Sequence, residues 1–288
     1  MPTPSLRGPG DSQLPEPNRP VDAFGVAGSQ LESVLKVERV PKSTSSVHGP
    51  ELRKTVYRIL RFEHLVRLFR DRQFSLTSPF SWEDPFERLW SRLVFPAKAD
   101  HELVARRVFG SCLTFQERSD AMWTIYSRNW LGVRVTMKLD VVQRQMESAP
   151  ELTDARVWIG EVNYLSDTGL TTRARELKAA VALPGVDHSE VMAKAWLNKR
   201  IAFRHEDELR LLLVLPANRV MPVESKTLKF AVDPHELISS IHIDPRAPRE
   251  VFETLERDIR SSLGFKGSVK HSSLFRLPKN LELMLEGK

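Results

Sequence analysis

The run Glu206-Asp207-Glu208-Leu209-Arg210-Leu211-Leu212-Leu213-Val214-Leu215 decides the fold class. The apolar stretch 211–215 is far too short to cross a bilayer, but it suits a strand buried on both faces at the centre of a sheet. Charges leading into such a strand are costly unless they are paired or open onto a cleft. Strand alternation puts Glu206, Glu208 and Arg210 on one face, with the two carboxylates about 7 Å apart. Asp207, Leu209 and Leu211 point the other way. An ion-pair ladder at a strand entrance and an acid pair at a reactive cleft both satisfy this pattern.

Upstream, residues 56–60 (VYRIL) read as a strand with Arg58 at its centre. An arginine there needs an anion, either a carboxylate such as Glu206 or Glu87 or the phosphate or ribose of a ligand. Residues 63–72 have apolar positions at helical spacing. Residues 74–77 form a second strand, and 108–115 (VFGSCLTF) a third. A helix is expected over 99–107, and another from the Ser119-Asp120 cap to about Arg128. On the latter, Trp123 and Tyr126 are spaced i, i+3 and share a face, which suits core packing. Gly132 opens a strand in which Val133, Val135 and Met137 alternate. Thr114 ends its strand, where its hydroxyl either faces a cleft or caps the turn.

Downstream, 157–164 reads as a strand and 189–203 as one long helix. Further strands fall at 208–215, 230–232, 237–243 and 269–273, with an amphipathic helix over 249–263. Strands and helices mix without a βαβ rhythm. The expected class is α+β, a mixed, largely antiparallel split sheet with flanking helices.

The first fifty residues hold eight of the 19 prolines, and Pro, Gly and Ser make up 20 of them. Such a stretch buries too little apolar surface to offset its ordering entropy. Residues 1–50 are therefore expected to be a disordered leader, with one short element within 31–40, and 51–288 a globular domain. The leader has no apolar core of the kind a cleaved secretory signal carries. Cytoplasmic residence, or export into a host or competitor cell by an uncleaved leader, fits it. The net charge is +6, all of it within 51–288. One cysteine, Cys112, excludes a disulfide framework and a cysteine-rich zinc site. No phosphate-loop, dinucleotide-fold, zinc-peptidase or nucleophile-elbow motif is present, and the histidines lack metal-ligand spacing. No metal and no membrane insertion are expected.

Four boxes stand in order: Tyr57-Arg58, Asp84-Pro85-Phe86-Glu87, Met122-Trp123-Thr124-Ile125-Tyr126 and Glu206 to Arg210. Together they resemble a bacterial family of uncharacterised proteins with Tyr-Arg, D-P-F-E, M-W-x-x-Y and E-x-E-x-R motifs. The same order also resembles the arginine–serine–glutamate layout of the ADP-ribosyltransferases. That resemblance implies their split-sheet fold and NAD as co-substrate. It implies a toxin, secreted effector or defence protein that modifies a protein or nucleic-acid acceptor, with an antitoxin, chaperone or immunity protein as partner. It makes Glu208 the catalytic glutamate and Glu206 the guide for the acceptor. Arg58, with Tyr57, would hold the dinucleotide, Trp123 or Tyr126 would wall the nicotinamide, and Arg210 would bind beside them. Thr114 would supply the hydroxyl of the serine position, for which Ser111 and the stretch Ser75-Leu76-Thr77-Ser78 also compete. The alternatives are a non-catalytic nucleotide- or nucleic-acid-binding module, and an effector whose transferase site has decayed.

Overall fold

A computed structural model describes residues 37–39, 55–82, 84–94, 105–186 and 188–278, and the single positions 103, 281 and 284. The expected helix over 99–107 and most of the expected leader lie outside these residues.

Strand β4 (Val108–Thr114) organises the sheet. Along one edge it pairs antiparallel over its whole length with β9 (Glu208–Val214), from Val108↔Val214 to Thr114↔Glu208. Its other edge is shared: β3 (Gln73–Thr77) meets it at Thr77↔Gly110, and β2 (Thr55–Arg61) at Tyr57↔Thr114. The sheet splits at this point. β10 (Thr227–Ala231) extends the β3 branch. The other branch runs β2, β5 (Gly132–Lys138), β11 (Ile238–Ile243) and β12 (Ser268–His271). Beyond β9 lie β6 (Arg156–Glu161) and β1 (Val37–Arg39), a piece of the stretch read as leader. Among the described residues of this sheet only the β11–β12 pair is parallel, so the fold is α+β with a largely antiparallel sheet, as its irregular rhythm implied.

Strand alternation feeds two cores. Leu209, Leu211 and Leu213, with Leu113, Val56 and Val133, pack with α1 (Phe62–Asp71), α4 (Leu139–Ser148) and α8 (Arg249–Ser261). The opposite side chains of β4, β9 and β6 (Val108, Leu212, Val214, Trp158) pack with α2 (Pro85–Val94), α5 (Asp167–Val181) and α6 (His188–Ala195). Each fully buried leucine contributes about 1.5–3 kcal/mol, which is why β9 is the structural axis. Among the described residues the layer of α2, α5 and α6 covers this half of the sheet. On the same face of β2, β5, β11 and β12, Tyr57, Thr136 and His242 are half-buried and Lys270 is exposed.

Two expectations are corrected. Residues 189–203 are not one helix. α6 ends at Ala195, where the Asn198 amide donates to the Lys194 and Ala195 carbonyls. The chain then forms β8 (Asn198–Arg200) and a 3-10 turn, Ile201–Glu206. Residues 157–164 form two strands, because the Val162 N–H bonds Glu208 and the Asn163 N–H bonds Leu197, redirecting the chain into β7 (Asn163–Leu165). The fifteen-residue α5 was not anticipated.

Candidate functional site

Glu206 and Glu208 do not line one strand. β9 begins only at Glu208, and Asp207 caps the preceding turn in the left-handed region at φ 42°. The kink turns both carboxylates toward Lys199 on β8. Its ammonium lies 2.5 Å from Glu206 Oε2 and 2.5 Å from Glu208 Oε1. Arg210, fully buried, donates Nε to Glu208 Oε2 at 2.7 Å, one terminal nitrogen to the Trp196 carbonyl, and the other to Glu87. Glu87 is fixed from α2, whose first turn is capped when Asp84 accepts from the Phe86 N–H. Asp84 also pairs with Arg200 at 3.1 Å. The D-P-F-E box thus delivers a third carboxylate to the cluster. Glu206 and Glu208 are each 4% exposed.

The carboxyls are pushed in opposite directions. Burial raises Glu206, helped by the hydrogen bond it shares with Glu208, to about 8. Burial also acts on Glu208, but the Arg210 guanidinium, the Glu206 hydrogen bond and the Lys199 ammonium outweigh it and hold this carboxyl well below the usual range. One group keeps a proton while its neighbour stays ionised. Burial works against Lys199, but its carboxylates outweigh that too and keep it charged.

Thr114 lies directly opposite Glu208, with Tyr57 opposite Thr114. The threonine hydroxyl is committed to the turn: it donates to the Glu206 carbonyl at 2.5 Å and accepts from the Gln116 N–H. Ser111 is buried, and among the described residues its hydroxyl has no partner. In the competing stretch, Thr77 accepts from the Trp82 indole and Ser78 donates to the Ala105 carbonyl. Tyr126 on α3 (Asp120–Tyr126) is 42% exposed, and its hydroxyl donates to Glu206 Oε1 at 3.4 Å. It is the exposed edge of an otherwise closed cluster. Trp123, one turn earlier on the same helix, is 1% exposed, as core packing predicts.

Arg58 is set apart from these groups. One residue beyond Tyr57, it turns to the opposite side of the sheet from Glu208, 5.4 Å from the Phe74 ring. Glu206 and Glu87, its expected partners, are taken by Lys199 and Arg210, and among the described residues no carboxylate pairs with it. Desolvation pulls its guanidinium below the usual arginine range.

Sequence reading missed Lys199 and Glu87 as cluster members. Lys199 was placed inside a helix, where no strand register would bring it to Glu208. It also missed the clasp at the end of α3. There Ser127 donates to the fully buried Asp244 and accepts from the Gly132 N–H, while Arg246 binds Asp244 and the Trp123 and Ser127 carbonyls. Gly132 leads its strand because an added Cβ would lie 2.3 Å from Ser127 Oγ. Among the described residues no His, Cys, Asp or Glu group is arranged to hold a metal, and no helix is long and apolar enough to cross a membrane.

No protein-family model matches the chain, and no curated protein matches it. Among solved structures it is similar to DarT of Thermus sp. 2.9. Against DarT in complex with carba-NAD+ it is 14% identical with a TM-score of 0.36, covering 78% of this chain and 97% of that one. Against the NAD+ complex the identity is 14% and the TM-score 0.36, over 78% and 98%. Against the complex with ADP-ribosylated ssDNA they are 13% and 0.35, over 76% and 94%. At this distance the likeness gives no residue of this chain a role.

Proposed function

We propose that the chain is an NAD-consuming transferase that moves ADP-ribose to a macromolecular acceptor, with Glu208 as its catalytic carboxylate. One observation carries this reading: two adjacent carboxyls are driven apart in acidity, Glu208 ionised and Glu206 proton-holding, beside the exposed ring of Tyr126. Environments that split a carboxyl pair assign it two roles. As the bond from nicotinamide nitrogen to ribose breaks, its electron pair leaves with neutral nicotinamide and positive charge builds on the sugar. A carboxylate fixed in the charged state stabilises that cation. The acceptor's nucleophilic atom bonds the sugar carbon and passes its proton to Glu206, which has first released its own to solvent. The resemblance of the four boxes to the arginine–serine–glutamate layout supports the same choice of Glu208.

The test is incubation with labelled NAD, reading nicotinamide release and label transfer. Glu208→Gln is expected to lower both about a thousandfold, and unchanged rates remove the assignment. A second reading has its own observation. Lys199 already fills the space between the carboxylates, and Glu208 is nearly closed to solvent. If that contact never opens, the chain binds a partner without turnover. No nicotinamide release from the wild type, with Lys199→Met also inert, selects this second reading.

A further inference from the structure

The open half of Glu208's sheet face carries a second group of side chains that the four boxes do not include. Arg134 on β5 stands directly opposite His242 on β11, which stands opposite Lys270 on β12. Tyr57 lies on the same face, its ring 4.8 Å from the Arg134 guanidinium. Arg134 is 3% exposed, yet among the described residues its Nε has no hydrogen-bond partner, and neither has the adjoining His242 Nδ1. Arg118 is close enough to act electrostatically on Arg134. Among the described residues the carboxylate beside this group is that of Glu117. Its backbone carbonyl accepts from Arg134, while its side chain is 60% exposed and 3.8 Å from the guanidinium.

We propose that Arg134, His242 and Lys270 form an oxyanion-binding row for nucleotide phosphate groups, and that the Glu117 carboxylate occupies it in the free protein. Two orphaned ring and guanidine nitrogens at adjacent register positions are unfinished donors, and a buried polar group without a partner is costly to keep. The guanidinium fork suits phosphate, and the Tyr57 ring holds it flat. A side chain as exposed as Glu117 swings away at little cost. The Arg134 end of the row lies three strand spacings across and two residues along from Glu208, about 16 Å at the usual separations, within reach of an extended dinucleotide. It continues to the sheet edge at Lys270, so two sources share one chemistry: the pyrophosphate of a dinucleotide and the diester of a nucleic-acid strand. The placement beside Glu208 rests on the transferase reading, but the phosphate site does not.

Titration calorimetry with ADP, pyrophosphate, NAD, nicotinamide riboside and a single-stranded oligonucleotide tests it. Arg134→Gln should weaken ADP and pyrophosphate at least tenfold, with partial recovery in Arg134→Lys. Glu117→Gln should tighten both several-fold. Nicotinamide riboside, which has no phosphate, should respond to neither. ADP displacing NAD points to a dinucleotide; oligonucleotide binding that weakens in Lys270→Gln and is not displaced by ADP points to a strand. Phosphate affinities within twofold of wild type in folded Arg134→Gln and Glu117→Gln overturn the row, even if NAD is cleaved. Arg134-dependent ADP binding without any NAD cleavage leaves the row standing and removes the transferase reading instead.

Discussion

One sheet face carries two charged clusters that differ in almost every physical respect. At the β9 end, Glu87, Glu206 and Glu208 interlock with Lys199 and Arg210, none more than 8% exposed. At the β12 end, Arg134, Lys270 and His242 stand in one row, and among the described residues Glu117 is the carboxylate that acts on Arg134 and His242. The cause is the covering layer. Helices α2, α5 and α6 pack over β4, β9 and β6 but stop short of β5, β11 and β12. Charges sealed under helices must be matched internally, because water cannot solvate them. At the other end Lys270 and Glu117 reach solvent, and Arg134, 3% exposed beside them, keeps an Nε without a partner among the described residues. Helical cover therefore sorts the face into a part that holds charge rigidly and a part that offers it.

The largest expected effect is on stability. Arg210→Met leaves the buried Glu208 and Glu87 to share one remaining cation, Lys199, and should cost about 3–5 kcal/mol in urea denaturation. Arg134→Met, losing a ring contact and hydrogen bonds at the open end, should cost about 1 kcal/mol. Equal losses would erase the distinction between the clusters. Adding Glu87→Leu to Arg210→Met should recover part of the stability, since that removes one of the two carboxylates sharing that cation, whereas a structural role for Arg210 through packing alone predicts no recovery.

A smaller effect is expected where the two ends meet. Helix α3 is pinned by the clasp of Ser127, Asp244 and Arg246, and Gly132 leaves room for the Ser127 side chain. Gly132→Ala should destabilise by about 1–3 kcal/mol through that overlap. Ser127→Gly in the same chain should relieve it in part, because Ser127 Oγ and Cβ are the atoms an added methyl would meet first. If the double variant is no better than the single, the clash is not the cause. Thermal melts settle the comparison.

How far the sequence disclosed this arrangement depended on whether the deciding contact was local. The β9 axis was legible in EDELRLLLVL because apolar runs and alternation are properties of neighbouring residues. So were β2, β4, β5 and the Ser119 cap, whose side chain accepts from the Met122 N–H. Helix α5 carried a usable signal in Ser166 as cap and in Leu170, Ala174, Leu177 and Val181 at helical spacing, diluted by small residues. The break at Ala195 was not visible, since Asn198 stops the helix by folding its amide back on carbonyls that exist only once the chain has turned. The carboxylate site was half legible: Glu206, Glu208 and Arg210 stood together in the sequence. Their partners did not, for Glu87 reaches Arg210 across more than a hundred residues and Lys199 depends on β8. Arg134 stayed hidden because one polar residue in an alternating strand looks like an ordinary outward position. Only the register with Tyr57 and His242 shows its company.

The smallest effect is a difference in sign between the two ends as pH changes. Glu206 faces Lys199, Glu208 and Tyr126, and its folded pKa is raised to about 8, with burial the largest cause. Its contribution to stability is complete below the ordinary carboxylate range and is lost as pH rises through about 8, because the unfolded chain releases that proton earlier. His242 faces Arg134, Lys270 and Glu117, and burial first, then the two cations, lowers it from 6.5 to about 4. Its contribution is complete above 6.5 and is lost as pH falls toward about 4, because the unfolded chain takes up a proton the folded chain refuses. Glu208, held low, adds to the acid loss only below the usual carboxylate range. Urea midpoints measured from pH 4 to 9 should therefore fall on both sides. Glu206→Gln should flatten the alkaline limb alone, and His242→Gln should soften the acid limb alone. A single substitution that flattens both limbs would mean the two ends titrate as one unit, and the division imposed by the helical layer would not hold.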